Sequence, residues 1–124
     1  MRYEKANRPF VSIARNGQLL PEVKAVLTII AKNNLTLATG HSSAEEDLLL
    51  VREASNLGVQ RIVVTHPLGR AVAMSIPQMQ EAARMGAYLE IVTYQRTTSN
   101  NPPITTEEQC EGAPRRGPRA FETN

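Results

Sequence analysis

The chain has 124 residues, which is enough for one domain with a modest core but small for a barrel enzyme. Its 14 basic and 12 acidic side chains nearly cancel, and aromatic residues make up only 4%, so a nucleic-acid surface that stacks bases is not expected. The lone Cys110 excludes an internal disulfide framework, and the polar start and short apolar runs argue against a secretory signal or a membrane span, which predicts a cytoplasmic protein.

The first elements are a short strand, a turn and a helix. The stretch "PFVSIAR" (9–15) predicts a strand, and the Asn-Gly pair after it predicts a turn. Pro21 suits the first position of a helix, and apolar residues follow at helical spacing over 21–33. The run "LTLAT" (35–39) then predicts the next strand.

The second helix is the best specified element of the sequence. Ser43 and Glu46 have the spacing of a capping box, an apolar stripe continues to residue 57, and Gly58 is placed as the C-terminal cap. The strand that follows, "QRIVVT" (60–65), has a continuous apolar run. Such a run is typical of a parallel strand buried on both faces.

A third helix and a last strand complete the regular pattern. Ser75 and Gln78 form a second capping-box pair before a helix near 77–85, and "AYLEIVTY" (87–94) predicts the last strand. The order β-α-β-α-β-α-β with short connections predicts an α/β fold of parallel βα repeats.

The regular pattern divides the chain into two parts. Residues 1–94 form the predicted βα domain. Residues 95–124 contain four of the eight prolines and no apolar periodicity, so we expect a disordered tail.

The two histidines both stand where a predicted strand ends. His41 follows Gly40, which allows a sharp turn, and His66 precedes Pro67, which favours an extended conformation at His66. Ligand sites of parallel α/β folds lie at these carboxyl ends, and neighbouring strands are about 4.8 Å apart. His41 and His66 are therefore candidate ligands of one divalent metal ion, zinc or manganese.

Simpler roles remain open for these and nearby residues. A loop histidine is often only a hydrogen-bonding residue. Glu90 is either a carboxylate in the same site or half of an ordinary ion pair, and Arg70 either binds an anionic substrate or is solvated. Ser42 and the neighbouring serine fit helix caps better than nucleophiles, and Cys110 has no base near it in the sequence.

Three stretches, "GQLLPEVKAVLTIIAKNNLTLATGH", "RIVVTHP" and "QEAARMGAYLEI", resemble an uncharacterised family of predicted metal-dependent hydrolases among the amidohydrolase-like TIM barrels. The resemblance spans roughly residues 10 to 92 and is most specific at "LATGH", "VVTHP" and "GAYLE". It implies that His41 is the metal ligand of the fifth barrel strand and His66 that of the sixth. The H-x-H pair and the strand-end aspartate of the superfamily have no counterpart, since the only aspartate, Asp47, falls inside the second predicted helix.

The resemblance also implies a fold and an activity. A complete (β/α)₈ barrel needs about 250 residues, so this chain corresponds to a partial, truncated TIM barrel. The implied reaction is metal-dependent hydrolysis of an amide, ester or cyclic amide bond in a small-molecule substrate. The alternative is a non-catalytic α/β module that pairs with a second copy or another chain, because a partial barrel exposes strand edges and an apolar face.

Overall fold

The structure, a computed structural model, describes residues 11–92 and the backbone of residues 121–123. Three helices and six short strands form in these residues. In chain order they are β1 (Ala14–Arg15), β2 (Gln18–Leu19), α1 (Pro21–Lys32), β3 (Thr36–Ala38), α2 (Ala44–Asn56), β4 (Arg61–Val64), α3 (Ile76–Arg84), β5 (Tyr88–Val92) and β6 (Phe121–Thr123).

The first strand belongs to a hairpin, so its prediction as a parallel strand is wrong. β1 pairs with β2 antiparallel, with Ala14 opposite Leu19. The two loop residues between them, Asn16 and Gly17, have φ angles of 53° and 73°. Positive φ at both positions is what a tight two-residue hairpin turn requires, and Asn-Gly is its preferred sequence. The turn therefore folds the chain back at once.

The helix starts follow the sequence prediction. The Ser43 and Ser75 side chains accept hydrogen bonds from the backbone N–H groups of Glu46 and Gln78, and both capping boxes are complete. Pro21 lies at the start of α1, as predicted. These local signals satisfy the free N–H groups of the first helical turns.

Each helix also ends in the same way. The residues after the C-caps, Asn34, Gly58 and Gly86, have positive φ angles of 52°, 84° and 97°. At α2, the Val59 N–H donates to the Ala54 carbonyl oxygen at 2.9 Å, the long hydrogen bond of a Schellman motif. The predicted cap at Gly58 is confirmed.

The central sheet has the order β3-β4-β5-β6 and is parallel throughout. Leu37 pairs with Ile62, and Val64 with Leu89. These four side chains are buried, and α1, α2 and α3 contact one another in chain order. The predicted parallel βα repeats are thus confirmed for β3, β4 and β5.

The other face of the sheet is less covered. In β4, Ile62 and Val64 are buried, but Val63 between them is only partly buried. In β5, Tyr88 and Glu90 are likewise partly buried, on the face opposite Leu89. The prediction that β4 is buried on both faces is therefore wrong, because helices pack against one face and this face has no helix within the described residues.

Two sequence predictions, the tail and the lack of a membrane span, are only partly covered by the described residues. The predicted tail, 95–124, lies outside the described residues except for β6, whose backbone pairs with β5. Among the described residues, none of the helices has the length and apolar character needed to cross a membrane.

Candidate functional site

The two histidines meet at the carboxyl ends of β3 and β4. The last pair of the register is Ala38 with Val63, and each histidine follows three residues after its member of that pair. The ring centroids lie 5.5 Å apart, with the ring planes inclined by 30°. The sequence prediction that these imidazoles lie close together is confirmed, while metal binding stays a prediction.

Gly40 turns the chain between β3 and α2. Its φ angle is 74°, a conformation that costs glycine little, and an added Cβ would meet no atom within 4 Å. The glycine is therefore needed for the turn itself and not for close packing. His41, directly after this turn, is exposed.

His66 adopts a left-handed conformation with φ of 46°, so the extended conformation expected before Pro67 is wrong. Its carbonyl oxygen accepts a hydrogen bond from the Gly69 N–H at 2.7 Å, which closes a tight turn. On the side-chain end, Nδ1 lies 3.2 Å from Oε2 of Glu90. These two contacts outweigh the local preference for extended backbone.

Glu90 reaches His66 from the neighbouring strand, β5. The two side chains are 24% and 30% exposed, respectively. The His66 Nδ1 atom is buried, and it has no aligned hydrogen bond within the described residues. Since Nδ1 faces the carboxylate, Nε2 is the nitrogen of His66 left for a ligand. The contact is compatible with both roles considered for Glu90, site carboxylate and ion-pair partner, and metal binding decides between them.

Two threonines connect the strand ends beneath the histidines. The Thr65 N–H donates to Thr39 Oγ1 at 3.2 Å, and the Gly40 N–H donates to Thr65 Oγ1 at 3.2 Å. We call this reciprocal pair, Thr39 and Thr65, the threonine clamp. Sequence reasoning missed it, although each threonine stands just before a candidate histidine.

Asp47 is a fully buried carboxyl group below the clamp. Its Oδ2 accepts a hydrogen bond from Thr39 Oγ1 at 3.1 Å, whereas Oδ1 has no hydrogen-bond partner within the part of the chain described. Burial raises the pKa of Asp47 from 3.8 to about 7; the hydroxyls of Thr39 and Ser42 lower it, and the charge of Glu46 raises it further.

Asp47 was also missed as a site residue, although a sequence signal exists. It stands three residues after Ala44 and four before Val51, both fully or nearly fully buried. A charged residue within the apolar stripe of a helix is an unusual placement that predicts a buried partner.

The remaining candidates have simpler positions. Ser43 caps α2, and the Ser42 hydroxyl donates to the Thr39 carbonyl oxygen at 3.3 Å, so neither has the partners of a nucleophile. Cys110 lies outside the described residues. Within residues 11–92, no group of three or more histidine, cysteine, aspartate or glutamate side chains is arranged to hold a metal ion.

Comparison with protein families identifies the family of this chain. A family described as one of unknown function (DUF6282) matches residues 2–90, well over half of the chain. The chain belongs to the DUF6282 family. No curated protein and no solved structure matches it.

The DUF6282 segment contains the whole candidate site. It includes both histidines, the threonine clamp and Asp47, and its last residue is Glu90. The segment also covers α1 to α3 and the strands up to the middle of β5. A role found for the site would therefore belong to the DUF6282 part of the protein.

Proposed function

We propose that the chain is a metal-dependent hydrolase of the amidohydrolase type, and that His41 and His66 bind a divalent ion, zinc or manganese. The proposed reaction is hydrolysis of an amide, ester or cyclic amide bond in a small molecule. The observation that carries the proposal is the pair of imidazoles, 5.5 Å apart at adjacent ends of parallel strands.

The separation of the rings suits a shared ion. With metal–nitrogen bonds of about 2.0–2.1 Å and tetrahedral angles, two imidazoles on one zinc ion have ring centroids about 5 Å apart. The centroids of His41 and His66 are 5.5 Å apart, which is close to this separation. Each imidazole would then provide one nitrogen.

Glu90 supports His66 as a ligand. Metal-binding histidines commonly direct the second ring nitrogen to a carboxylate, which fixes the ring and strengthens the ligand. His66 Nδ1 lies 3.2 Å from Glu90 Oε2, so a small rotation of the ring would align its N–H with the carboxylate and leave Nε2 for the metal. The left-handed backbone of His66 adds to the argument, because conformations of this kind cost free energy and concentrate at functional sites.

The strand arrangement is compatible with a partial (β/α)₈ barrel. β3, β4 and β5 are adjacent, parallel and in chain order, and the helices between them contact each other in sequence. In such barrels the helices cover the outside and the active site lies at the carboxyl ends of the strands. The less covered face, with Val63 and Glu90, would then be the barrel interior.

Two protein ligands leave coordination positions for water and for substrate. A divalent ion bound there would supply an activated water at neutral pH and polarise the carbonyl group of the substrate. His41 and His66 would hold the ion, and Glu90 would keep the ring of His66 in place. We assign no general base among the described residues.

One observation favours a non-catalytic module instead. Val26 and Ile29 on α1, and Leu35 just before β3, are 54%, 57% and 51% exposed. β3 is also an edge of the sheet that the structure describes. Exposed apolar side chains and an edge strand are suited to pairing with a second copy or another chain.

Metal titration and activity distinguish the two functions. Zinc and manganese are titrated calorimetrically into the wild type, His41→Ala, His66→Asn and the double variant. Asparagine tolerates the left-handed backbone of position 66, so this change removes the imidazole with little effect on the turn. Activity is then measured on nitrophenyl esters, anilides and a cyclic amide with each metal.

The hydrolase proposal predicts metal binding that each single variant weakens strongly, together with metal-dependent turnover of one substrate class. Cys110→Ala serves as the control and leaves binding unchanged. Equal binding by the wild type and the double variant would reject the metal site. Such a result, with a dimer in solution, would favour the non-catalytic module.

A further inference from the structure

The main-chain ladder between β3 and β4 gives way to side-chain hydrogen bonds next to the histidines. The Thr39 N–H still donates to the Val63 carbonyl oxygen at 3.0 Å, as in a regular parallel pair. Beyond it, the described contacts between the strands are the two bonds of the threonine clamp, each 3.2 Å long. Hydroxyl groups have taken the place of backbone carbonyls as acceptors.

The direction of each hydrogen bond in the clamp is fixed by chemistry. A backbone N–H can only donate, so Thr39 Oγ1 must accept from Thr65 and Thr65 Oγ1 must accept from Gly40. A hydroxyl has one proton, and that of Thr39 points to Asp47 Oδ2 at 3.1 Å. Asp47 thereby fixes the rotamer in which Thr39 can accept from the opposite strand.

The burial of Asp47 has a free-energy cost. Its side chain is completely inaccessible to solvent, and Oδ1 lacks a hydrogen-bond partner in the described residues. A buried carboxyl group with an unsatisfied oxygen is costly, and an apolar residue at this helix position would avoid the cost. The hydrogen bond from Thr39 to Oδ2 compensates part of this cost.

The threonine clamp lies next to both histidines in the chain. Thr39 is two residues before His41, and Thr65 is directly before His66. Since the clamp joins the strands at this level, its loss would let the strand ends separate or rotate. The ring separation of 5.5 Å depends on those ends more than on any bond between the rings.

We propose that Asp47 is a positioning residue, which acts through the threonine clamp to set the separation of His41 and His66. The clamp itself is independent of metal. Its consequence for metal affinity rests on the proposed function. The two parts therefore need separate measurements.

The first measurement is the nuclear Overhauser effect between the two imidazole rings, recorded without metal. Thr39→Val removes the hydroxyl at nearly constant volume, and Thr39→Ser restores it. Thr36→Val is the matched control, because Thr36 also links β3 to β4, through Arg61 Nε at 3.1 Å, but at the opposite strand ends. Asp47→Asn keeps an acceptor for Thr39, whereas Asp47→Ala does not.

We expect the inter-ring effects to persist in the wild type, Thr39→Ser, Thr36→Val and Asp47→Asn, and to be lost in Thr39→Val and Asp47→Ala. Inter-ring effects of wild-type intensity in Thr39→Val or in Asp47→Ala would overturn the proposal. Should Thr39→Val fail to fold, the inter-ring effects are measured in Thr65→Val instead. This change removes only the acceptor for Gly40, and effects of wild-type intensity in it would overturn the proposal.

The second measurement is zinc affinity in the same variants. Supporting residues of metal ligands typically change affinity by 10- to 100-fold, so Thr39→Val should bind zinc at least about tenfold more weakly than Thr36→Val. Loss of inter-ring effects in a protein whose wild type binds no zinc would support the clamp and reject the metal site. Unchanged zinc affinity together with unchanged inter-ring effects would reject the clamp alone.

Discussion

The imidazole of His66 and the carboxylate of Glu90 face each other between neighbouring parallel strands, with Nδ1 3.2 Å from Oε2. This contact joins the left-handed end of β4 to the middle of β5 and directs one ring nitrogen inward. Glu90 is not itself a proposed ligand, so its effect on metal affinity can be tested without changing either histidine.

Glu90→Gln should weaken zinc binding by about tenfold or more, because the neutral amide no longer strengthens His66 as a ligand. The measurement is calorimetric titration at constant pH. Glu81→Gln is the matched control, since it removes the exposed ion pair of Glu81 with Arg52 at 2.8 Å, away from the histidines. Equal zinc affinities for the two variants would show that Glu90 has no such role.

Asp47→Asn should stabilise the protein relative to the wild type, and increasingly so as the pH rises. Burial raises the pKa of Asp47 from 3.8 to about 7, so its stabilising contribution is complete below pH 3.8 and is lost as the pH rises through 7. At about 1.4 kcal/mol per pKa unit, the wild type loses roughly 4 kcal/mol across this window.

Urea unfolding of both proteins at pH 5 and pH 8 measures this effect. The free energy of unfolding of Asp47→Asn minus that of the wild type should be larger at pH 8. A difference that does not change with pH would mean that Asp47 does not titrate in this range.

Glu46 should show the opposite dependence on pH. Burial alone would raise its pKa, but hydrogen bonds from Ser12 and from the backbone of Ser43, Ile13 and Ala14 outweigh burial and lower the pKa. Its contribution is therefore present above pH 4.5 and is lost as the pH falls through the lowered pKa. Glu46→Gln should be less stable than the wild type at pH 7, and the gap should narrow in acid. A constant gap between pH 7 and pH 3 would contradict this.

Gly40→Ala should lower the free energy of unfolding by about 1 to 2 kcal/mol, because the left-handed conformation is unfavourable for an L-residue with a Cβ atom. Gly58→Ala is the matched control: both glycines have positive φ, 74° and 84°, and neither added Cβ meets an atom within 4 Å. The two variants should lose similar stability in urea unfolding, but only Gly40→Ala should weaken zinc binding. Weaker zinc binding in Gly58→Ala would show that general destabilisation explains the loss.

The helices could be predicted from sequence because their signals are local. The pairs Ser43–Glu46 and Ser75–Gln78 lie within one turn, and both form the predicted capping boxes. The strand near residue 14 was assigned wrongly because a short apolar run does not reveal its partner. The Asn-Gly pair contained that information, since it favours a hairpin between the residues on either side.

The histidines could be placed because strand order alone brings strand ends together. The threonine clamp could not be predicted from sequence, because its hydrogen bonds join residues that are 25 and 26 positions apart. The conformation of His66 was missed for a related reason. Proline at the next position favours extended backbone, and only the tertiary contact with Glu90 and the turn at Gly69 reverse that preference.

The shared metal site is tested most directly by zinc titration followed on the imidazole signals, because the chain has only two histidines and so gives two resolvable resonances. A common ion predicts that the signals of His41 and His66 change together and stop changing at one zinc per chain, and that His66→Asn abolishes the change at His41. Signals that do not respond, or that respond independently at different zinc concentrations, would contradict a metal ion shared by the two histidines.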